Sequence, residues 1–249
     1  MKVRAAIFDV YGTLLELGLP PADREERWRR LWSETFGSPQ RLDLREFEHA
    51  VSVEVGRRHA RARHEGIPFP EVYWPEVVES AVPELARTEP ACAERWRREQ
   101  VRLQHSVRLM AGVSEMLAAL RAGGVPLGIA SNAQPYTVEE LSEALAGAGL
   151  GMDLFEPDLV FWSFAHGFSK PDPHVFRLLG ARLAARRIEP SDTLMVGDRL
   201  DNDVRPARAA GWNAWHLAPD ADEGGADGAE AGDWAALAEA SGFGATRAR

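Results

Sequence analysis

Short apolar runs that stop at a polar residue recur along this chain, and the first lies near its beginning. Residues 5–8 are wholly apolar, the run stops at Asp9, and Gly12 and Thr13 follow as turn residues. Such a run, bounded by turn residues, is typical of a strand buried on both faces of a parallel sheet. We therefore predict a strand ending at Asp9, and ligands bind beyond the carboxyl ends of strands in open sheets of this kind.

After Thr13 the pattern becomes helical and highly charged, and it remains so to about His105. Glycine and proline interrupt it at three places, as expected at helix ends. The predicted helices cover residues 22–36, 43–65, 71–81 and 90–104. We interpret residues 16–105 as a helical insertion into a core formed by residues 1–15 and 106–249.

The rest of the chain alternates between helices and strands. Predicted helices cover residues 113–122, 136–147, 173–187 and 204–210, and predicted strands cover residues 126–130, 159–162, 193–196 and 213–217. Strands that alternate with helices imply an α/β fold with a parallel, doubly wound sheet. Residues 219–232 are rich in Ala, Gly and Asp and are predicted to form a loose surface segment, followed by a short helix that begins at Asp233 and Trp234.

Composition excludes several classes of protein. A hydrophobic fraction of 45% with 27% charged residues is ordinary for a globular protein, and the net charge of -9 argues against a nucleic-acid partner. The single Cys92 excludes an internal disulfide and fits a reducing compartment. No apolar run approaches membrane-spanning length or a signal sequence. We expect a cytoplasmic protein with no membrane partner, either a monomer or a homodimer.

Polar residues follow the predicted strands in four groups. They are Asp9, Ser131 with Asn132, Lys170, and Asp198 with Asp203. Each could alone be a helix cap or a solvated side chain. Because parallel strands bring their carboxyl ends to one edge, the groups together supply a nucleophile, polar donors, a cation and two acids, a set suited to substitution at a small anionic substrate.

In order and context these residues resemble the haloacid dehalogenase (HAD) superfamily of aspartate-nucleophile hydrolases. The resemblance spans most of residues 3–217. It rests on four motifs, Phe8-Asp9-Val10-Tyr11-Gly12-Thr13-Leu14, Ala130-Ser131-Asn132-Ala133, Ser169-Lys170-Pro171-Asp172-Pro173 and Val196-Gly197-Asp198-Arg199-Leu200-Asp201-Asn202-Asp203. It implies a Rossmann-like core, and it makes the helical insertion a C1-type cap that closes over the site.

The resemblance also implies roles for single residues. Asp9 would attack the substrate and form a covalent intermediate that water later hydrolyses. Lys170 would keep Asp9 ionised and neutralise the substrate, and Ser131 and Asn132 would donate hydrogen bonds to the transferring group. Thr13 belongs to the same catalytic motif as Asp9.

A metal site is implied in those family members that transfer phosphoryl groups. Asp198 would hold Mg²⁺ together with Asp9 and the backbone carbonyl of Tyr11. Asp203 would orient a metal-bound water or Lys170. Carboxylate and carbonyl oxygens are the hard ligands that magnesium requires.

Tyr11 departs from the phosphatase pattern, in which a second aspartate at this position protonates the leaving alcohol and activates water. The Tyr-Gly-Thr form instead resembles the 2-haloacid dehalogenases, whose leaving halide needs no proton. Those dehalogenases generally carry an uncharged Ser at the position of Asp198 and bind no metal. The two motifs therefore indicate different reactions.

Magnitudes favour the phosphatase. Losing a positioned general acid costs on the order of 10²- to 10⁴-fold in rate, which slows a phosphatase without forbidding it. Three carboxylates facing a single lysine would repel an anionic substrate unless a cation were bound. We favour a Mg²⁺-dependent phosphatase of a small phosphorylated metabolite. A metal-independent 2-haloacid dehalogenase and a non-catalytic module that binds a phosphorylated ligand remain the alternatives.

Overall fold

Six parallel strands form the main sheet, in the spatial order β5-β4-β1-β6-β7-β8. The computed structural model describes residues 2–218 and 230–243. The strands of this sheet are β1 (Ala5–Phe8), β4 (Leu127–Ser131), β5 (Phe155–Trp162), β6 (Thr193–Gly197), β7 (Asn213–Leu217) and β8 (Glu230–Gly232). The strand that carries Asp9 thus lies between β4 and β6, well inside the sheet.

Ten α-helices are found in the described part of the chain. They are α1 (Arg24–Phe36), α2 (Leu44–His64), α3 (Trp74–Ala81), α4 (Pro90–Val101), α5 (Val113–Ala122), α6 (Pro135–Gly147), α7 (Ser163–His166), α8 (Pro173–Ala185), α9 (Arg205–Ala209) and α10 (Trp234–Ser241). A π-helical turn, Leu200–Val204, precedes α9. The predicted helices are confirmed apart from shifts of a few residues at their ends.

Both faces of the sheet are covered, because successive residues of β1 point to opposite sides. Phe8 packs into a hydrophobic core with residues of α5, α6 and α10, whereas Ile7 packs into a second core with residues of α8 and α9. This arrangement explains why the run has no polar position. It confirms the predicted doubly wound, Rossmann-like α/β fold.

A two-stranded antiparallel ribbon, which the sequence pattern did not predict, joins the two ends of the helical insertion. Its strands are β2 (Leu15–Gly18) and β3 (Ser106–Leu109), paired with Leu15 opposite Leu109. Each strand is short, and its partner lies at the far end of the insertion, so no local pattern announces the pairing. Strand β2 crosses the predicted boundary between residues 15 and 16, whereas β3 begins directly after the predicted boundary at residue 105. The division into core and cap stays a prediction.

Helices α1 to α4 have a hydrophobic core of their own, which is rich in aromatic residues. Trp28 is fully buried at its centre, and its ring lies 4.8 Å from that of Phe47 and 5.5 Å from that of Trp96. The basic stretch of α2, residues 57–64, lies outside this core. There, Arg57 and Arg58 pair with Glu54. Aromatic packing therefore holds the insertion together, and the basic stretch forms ion pairs on its surface.

The end of the described chain only partly follows expectation. The short terminal helix is confirmed, and the Asp233 side chain caps α10 by accepting a hydrogen bond from the Ala236 amide. Of the segment expected to be loose, residues 219–229 lie outside the described residues. Residues 230–232 are instead strand β8, which pairs with β7, so for them the expectation was wrong. Within residues 2–218 and 230–243, no helix is long and apolar enough to cross a membrane.

Candidate active site

Asp9 and Lys170 meet at the carboxyl edge of the sheet, as their positions after strands predicted. The Lys170 Nζ donates to Asp9 Oδ1 at 2.7 Å and also to Asp203 Oδ1. The Lys170 side chain is only 2% exposed. A buried ammonium shared between two carboxylates has a fixed position, so Lys170 ties the end of β1 to the turn after β6.

Asp198 completes an acidic cluster, by which we mean Asp9, Asp198 and Asp203. One carboxylate oxygen of each residue lies within 4.8 Å of those of the other two. Two glycines make this close approach possible. A Cβ at Gly12 would lie 2.4 Å from Asp198 Oδ2, and a Cβ at Gly197 would lie 2.4 Å from three atoms of the Asp203 side chain.

Burial and mutual repulsion shape the electrostatics of the acidic cluster. Burial, and then the negative charge of Asp9, raises the pKa of Asp198. Burial also raises the pKa of Asp203 to about 6, although the Lys170 ammonium opposes this rise. Burial lowers the pKa of Lys170, but Asp9 and Asp203 outweigh that effect, so its pKa is raised and it stays charged. One ammonium does not neutralise three carboxylates.

The acidic cluster fits a divalent metal ion. Asp198 Oδ1 is buried, and no described residue forms a hydrogen bond with it. A buried carboxylate oxygen without a partner costs free energy, and a hard cation would supply the missing interaction. Among residues 2–218 and 230–243, this is the one group of three or more acidic, histidine or cysteine side chains close enough to share an ion.

Ser131 and Asn132 both reach the site, but the side chain of Asn132 is occupied. Its Nδ2 donates to the Lys170 carbonyl at 2.9 Å, and its Oδ1 accepts from the Lys170 amide at 2.7 Å. This paired bond positions the loop that carries Lys170. Ser131, the last residue of β4, lines the cavity beside Asp9.

Tyr11 lines the same cavity, but its hydroxyl points to helix α6. The phenol donates to Glu140 Oε2, and its oxygen lies 3.2 Å from Thr137 Oγ1. The other oxygen of Glu140 lies 3.0 Å from His105 Nε2. We call Tyr11, Glu140 and His105 the tyrosine cluster. Burial, and then the charge of Glu140, raises the pKa of Tyr11 far above its ordinary value.

The cavity over these residues has a volume of about 450 Å³. It is lined by Asp9, Tyr11, Gly12, Glu16, Leu17, Met110, Ser131, Asn132, Lys170, Asp198, Arg199, Asn202 and Asp203. Thr13, a predicted site residue, is fully buried and does not line the cavity. Glu16 and Met110 were missed because they lie on or beside the unpredicted ribbon. Arg199 was missed as well, although it stands in a quoted motif.

Hydrogen bonds that were not predicted from the sequence hold the loop before α3 against residues that follow β4 and β5. Ser163 Oγ donates to Glu71 Oε2 at 2.7 Å, and Gln134 Nε2 donates to Glu71 Oε1 at 3.0 Å. The Gln134 Oε1 in turn accepts from the Trp74 amide at 2.8 Å. Gln134 and Ser163 each follow a strand of the sheet, which is the one signal that could have marked them.

A Rossmann-like sheet with a buried, lysine-paired carboxylate and two further carboxylates at its carboxyl edge defines an α/β enzyme with an acidic site. The chain belongs to the haloacid dehalogenase-like hydrolases, because the model of that family matches residues 3–211. The resemblance drawn from the four motifs is thereby confirmed.

Individual relatives are more distant. A phosphoserine phosphatase of Thermus thermophilus is 36% identical over 149 residues, which are 59% of this chain and 53% of that protein, so the chain spans about half the length of this relative. A 2-haloacid dehalogenase from Pseudomonas syringae has the same fold, with a TM-score of 0.60, 20% identity and coverage of 95% and 97% of the two chains. A HAD phosphatase from Thermococcus onnurineus also has this fold, with a TM-score of 0.50 and 20% identity. The match covers 99% of this chain and 100% of that one.

Proposed function

We propose that this protein is a magnesium-dependent phosphatase of a small phosphorylated metabolite. The observation that carries the proposal is the buried, unpartnered Oδ1 of Asp198, close to the carboxylates of Asp9 and Asp203. A site that binds no cation has no use for this excess of negative charge, whereas a metal-dependent phosphatase does. Similarity to a phosphoserine phosphatase supports the same reaction class.

In this proposal Asp9 is the nucleophile, because Lys170 donates a hydrogen bond to its carboxylate and fixes its position. The Ser131 hydroxyl and the Lys170 ammonium would interact with the phosphoryl oxygens. Asn132 acts through Lys170, whose backbone it holds at both the amide and the carbonyl. Arg199 adds a second cation to the wall of the cavity, although its guanidinium is shared with Asp201.

Asp9, Asp198 and the carbonyl of Tyr11 would hold the magnesium ion, with Asp203 beside them through its bond to Lys170. When bound, magnesium would neutralise charge on the phosphoryl oxygens and on the acidic cluster. A cavity of about 450 Å³ is the size of a pocket for a small molecule. The single Cys92 supports a cytoplasmic location.

A metal-independent 2-haloacid dehalogenase is the second candidate. Tyr11 favours it, because this phenol occupies the cavity wall two residues after the nucleophile. The unpartnered Asp198 oxygen argues against it, since expelling a halide from a carbon centre gives that carboxylate no role.

A paired assay separates the two candidates. Phosphate release from para-nitrophenyl phosphate is measured with magnesium and with a chelator, and halide release from a 2-haloacid is measured under both conditions. We expect magnesium-dependent phosphate release and no halide release. Halide release that is indifferent to the chelator would overturn the proposal in favour of the dehalogenase.

A further inference from the structure

A phosphoryl group leaves its original oxygen more easily when a nearby acid protonates that oxygen. Tyr11 is positioned for this role by sequence, but its hydroxyl donates its proton to Glu140 on helix α6. The other carboxylate oxygen of Glu140 contacts His105 Nε2, and the Glu140 side chain is only 12% exposed. The phenol therefore presents its ring to the cavity, and its proton stays on the side of α6.

Among the described residues that line the cavity, Asp198 is assigned to the metal in the proposed function and Asp203 pairs with Lys170. The remaining titratable side chains other than Asp9 are engaged elsewhere. Glu16 accepts two hydrogen bonds from the Arg108 guanidinium, at 2.9 and 2.8 Å, and these bonds favour the ionised form of Glu16. The Lys170 ammonium is shared between Asp9 and Asp203. Arg199 is bound by Asp201 and does not give up a proton in proteins. None of the described histidines lines this cavity.

We infer that the substrate is an activated phosphate, whose leaving group departs as a stable anion without being protonated, and we take an acyl phosphate as its representative. This inference rests on the proposed phosphatase function. In the first step an Asp9 oxygen bonds to phosphorus, and the bond from phosphorus to the leaving oxygen breaks. That oxygen keeps the electron pair and leaves as a carboxylate.

In the second step a water oxygen bonds to phosphorus, and the bond from phosphorus to Asp9 breaks. Asp9 recovers its carboxylate, and the proton of the water goes to the released phosphate. Neither step requires an acid from the protein. The basicity of the leaving oxygen then decides which substrates react, because carboxylic acids have pKa values near 4 and phenols near 10, while aliphatic alcohols, like water, are far weaker acids.

The test compares kcat/KM of the magnesium-loaded protein for acetyl phosphate, phenyl phosphate and O-phosphoserine. We expect a decline in this order, by about 10²-fold or more between the first and the last, which is the scale of a missing general acid. Substituted phenyl phosphates of similar size separate leaving-group basicity from substrate recognition, and their kcat/KM should fall steeply as basicity rises.

Two variants make the test specific to Tyr11. Tyr11→Asp supplies a carboxyl group and should raise kcat/KM for O-phosphoserine by about 10²-fold relative to acetyl phosphate. Tyr11→Phe removes the hydroxyl and keeps the ring, so it should leave the ratio between the two substrates as it is. If Tyr11→Asp does not fold, the substrate series and Tyr11→Phe still test the inference.

Two results would overturn the inference while leaving the phosphatase proposal in place. One is equal kcat/KM for O-phosphoserine and acetyl phosphate in the unaltered protein. The other is a selective loss of O-phosphoserine turnover in Tyr11→Phe, which would identify the phenol as the proton donor. Failure to hydrolyse any of the three phosphates with magnesium would instead remove the phosphatase proposal itself.

Discussion

Two partly buried carboxylates, Asp198 in the cavity wall and Glu140 behind Tyr11, have opposite surroundings. Both oxygens of Glu140 are engaged, one by Tyr11 and the other by His105. Asp198 has a buried oxygen with no partner and a pKa that burial and Asp9 raise. A carboxylate whose oxygens are fully used stabilises structure, whereas one with an unused buried oxygen is available to a ligand.

The acidic cluster should therefore control activity, and the largest effect is expected from Asp9, its proposed nucleophile. Asp9→Asn should lower phosphate release on the order of 10⁶-fold, as removal of a nucleophile does in other enzymes, because the amide cannot form the covalent intermediate. A phosphate-release assay with a native-like circular dichroism spectrum as control checks this. Unchanged biological output in the same variant would favour the non-catalytic binding module.

The metal response should distinguish Asp198 from neighbouring acids. Magnesium at a hundredfold excess over its Kd should stabilise the unaltered protein by up to about 2.7 kcal/mol and so raise its melting temperature. Asp198→Asn should abolish that rise. Asp201→Asn is the matched control, since Asp201 lies in the same turn but pairs with Arg199 at the surface. An equal loss of the magnesium effect in both variants would contradict a specific role for Asp198.

Glu140 should affect stability and leave the metal response intact. Glu140→Ala removes the acceptor of two partly buried groups, Tyr11 and His105, and should cost about 1–3 kcal/mol in the free energy of unfolding. Urea denaturation measures the cost, and the magnesium-induced rise in melting temperature should persist. If that rise disappeared, the tyrosine cluster and the acidic cluster could no longer be regarded as separate.

A surface carboxylate should have the smallest effect. Arg57 and Arg58 lower the pKa of Glu54 to about 2, from an ordinary value of 4.5. Because the folded-state pKa is depressed, the stabilisation is present above pH 4.5 and is lost as the pH falls towards 2. Glu54→Gln should cost less than about 1 kcal/mol at neutral pH and nothing at the acid limit, as measured by denaturation at both values.

A double variant tests whether that small effect belongs to the ion pairs. Replacing Arg57 and Arg58 by Gln should remove most of the benefit, and adding Glu54→Gln should then change little. A further loss of the same size in the triple variant would show that Glu54 stabilises α2 in some other way.

Local pattern was enough to predict five of the six strands of the main sheet, namely β1, β4, β5, β6 and β7, and the residues that follow them. An apolar run followed by a polar residue specifies a buried strand and places Asp9, Ser131 and Asp198 at its end, because parallel strands share one direction. The pairing of β2 with β3 and the fastening of Glu71 to Gln134 were not predictable in this way. Both join segments that are far apart in sequence, and neither has a repeat that marks its partner.

The same distinction applies to the chemistry of the site. The sequence alone predicted that Asp9, Lys170, Asp198 and Asp203 lie at one edge of a sheet, because parallel strands share one direction. Whether a polar group there is free or occupied depends on distances between elements, which packing sets. The Tyr11 hydroxyl is bonded to Glu140 of α6, and Gly12 leaves room for Asp198, one oxygen of which has no partner among the described residues.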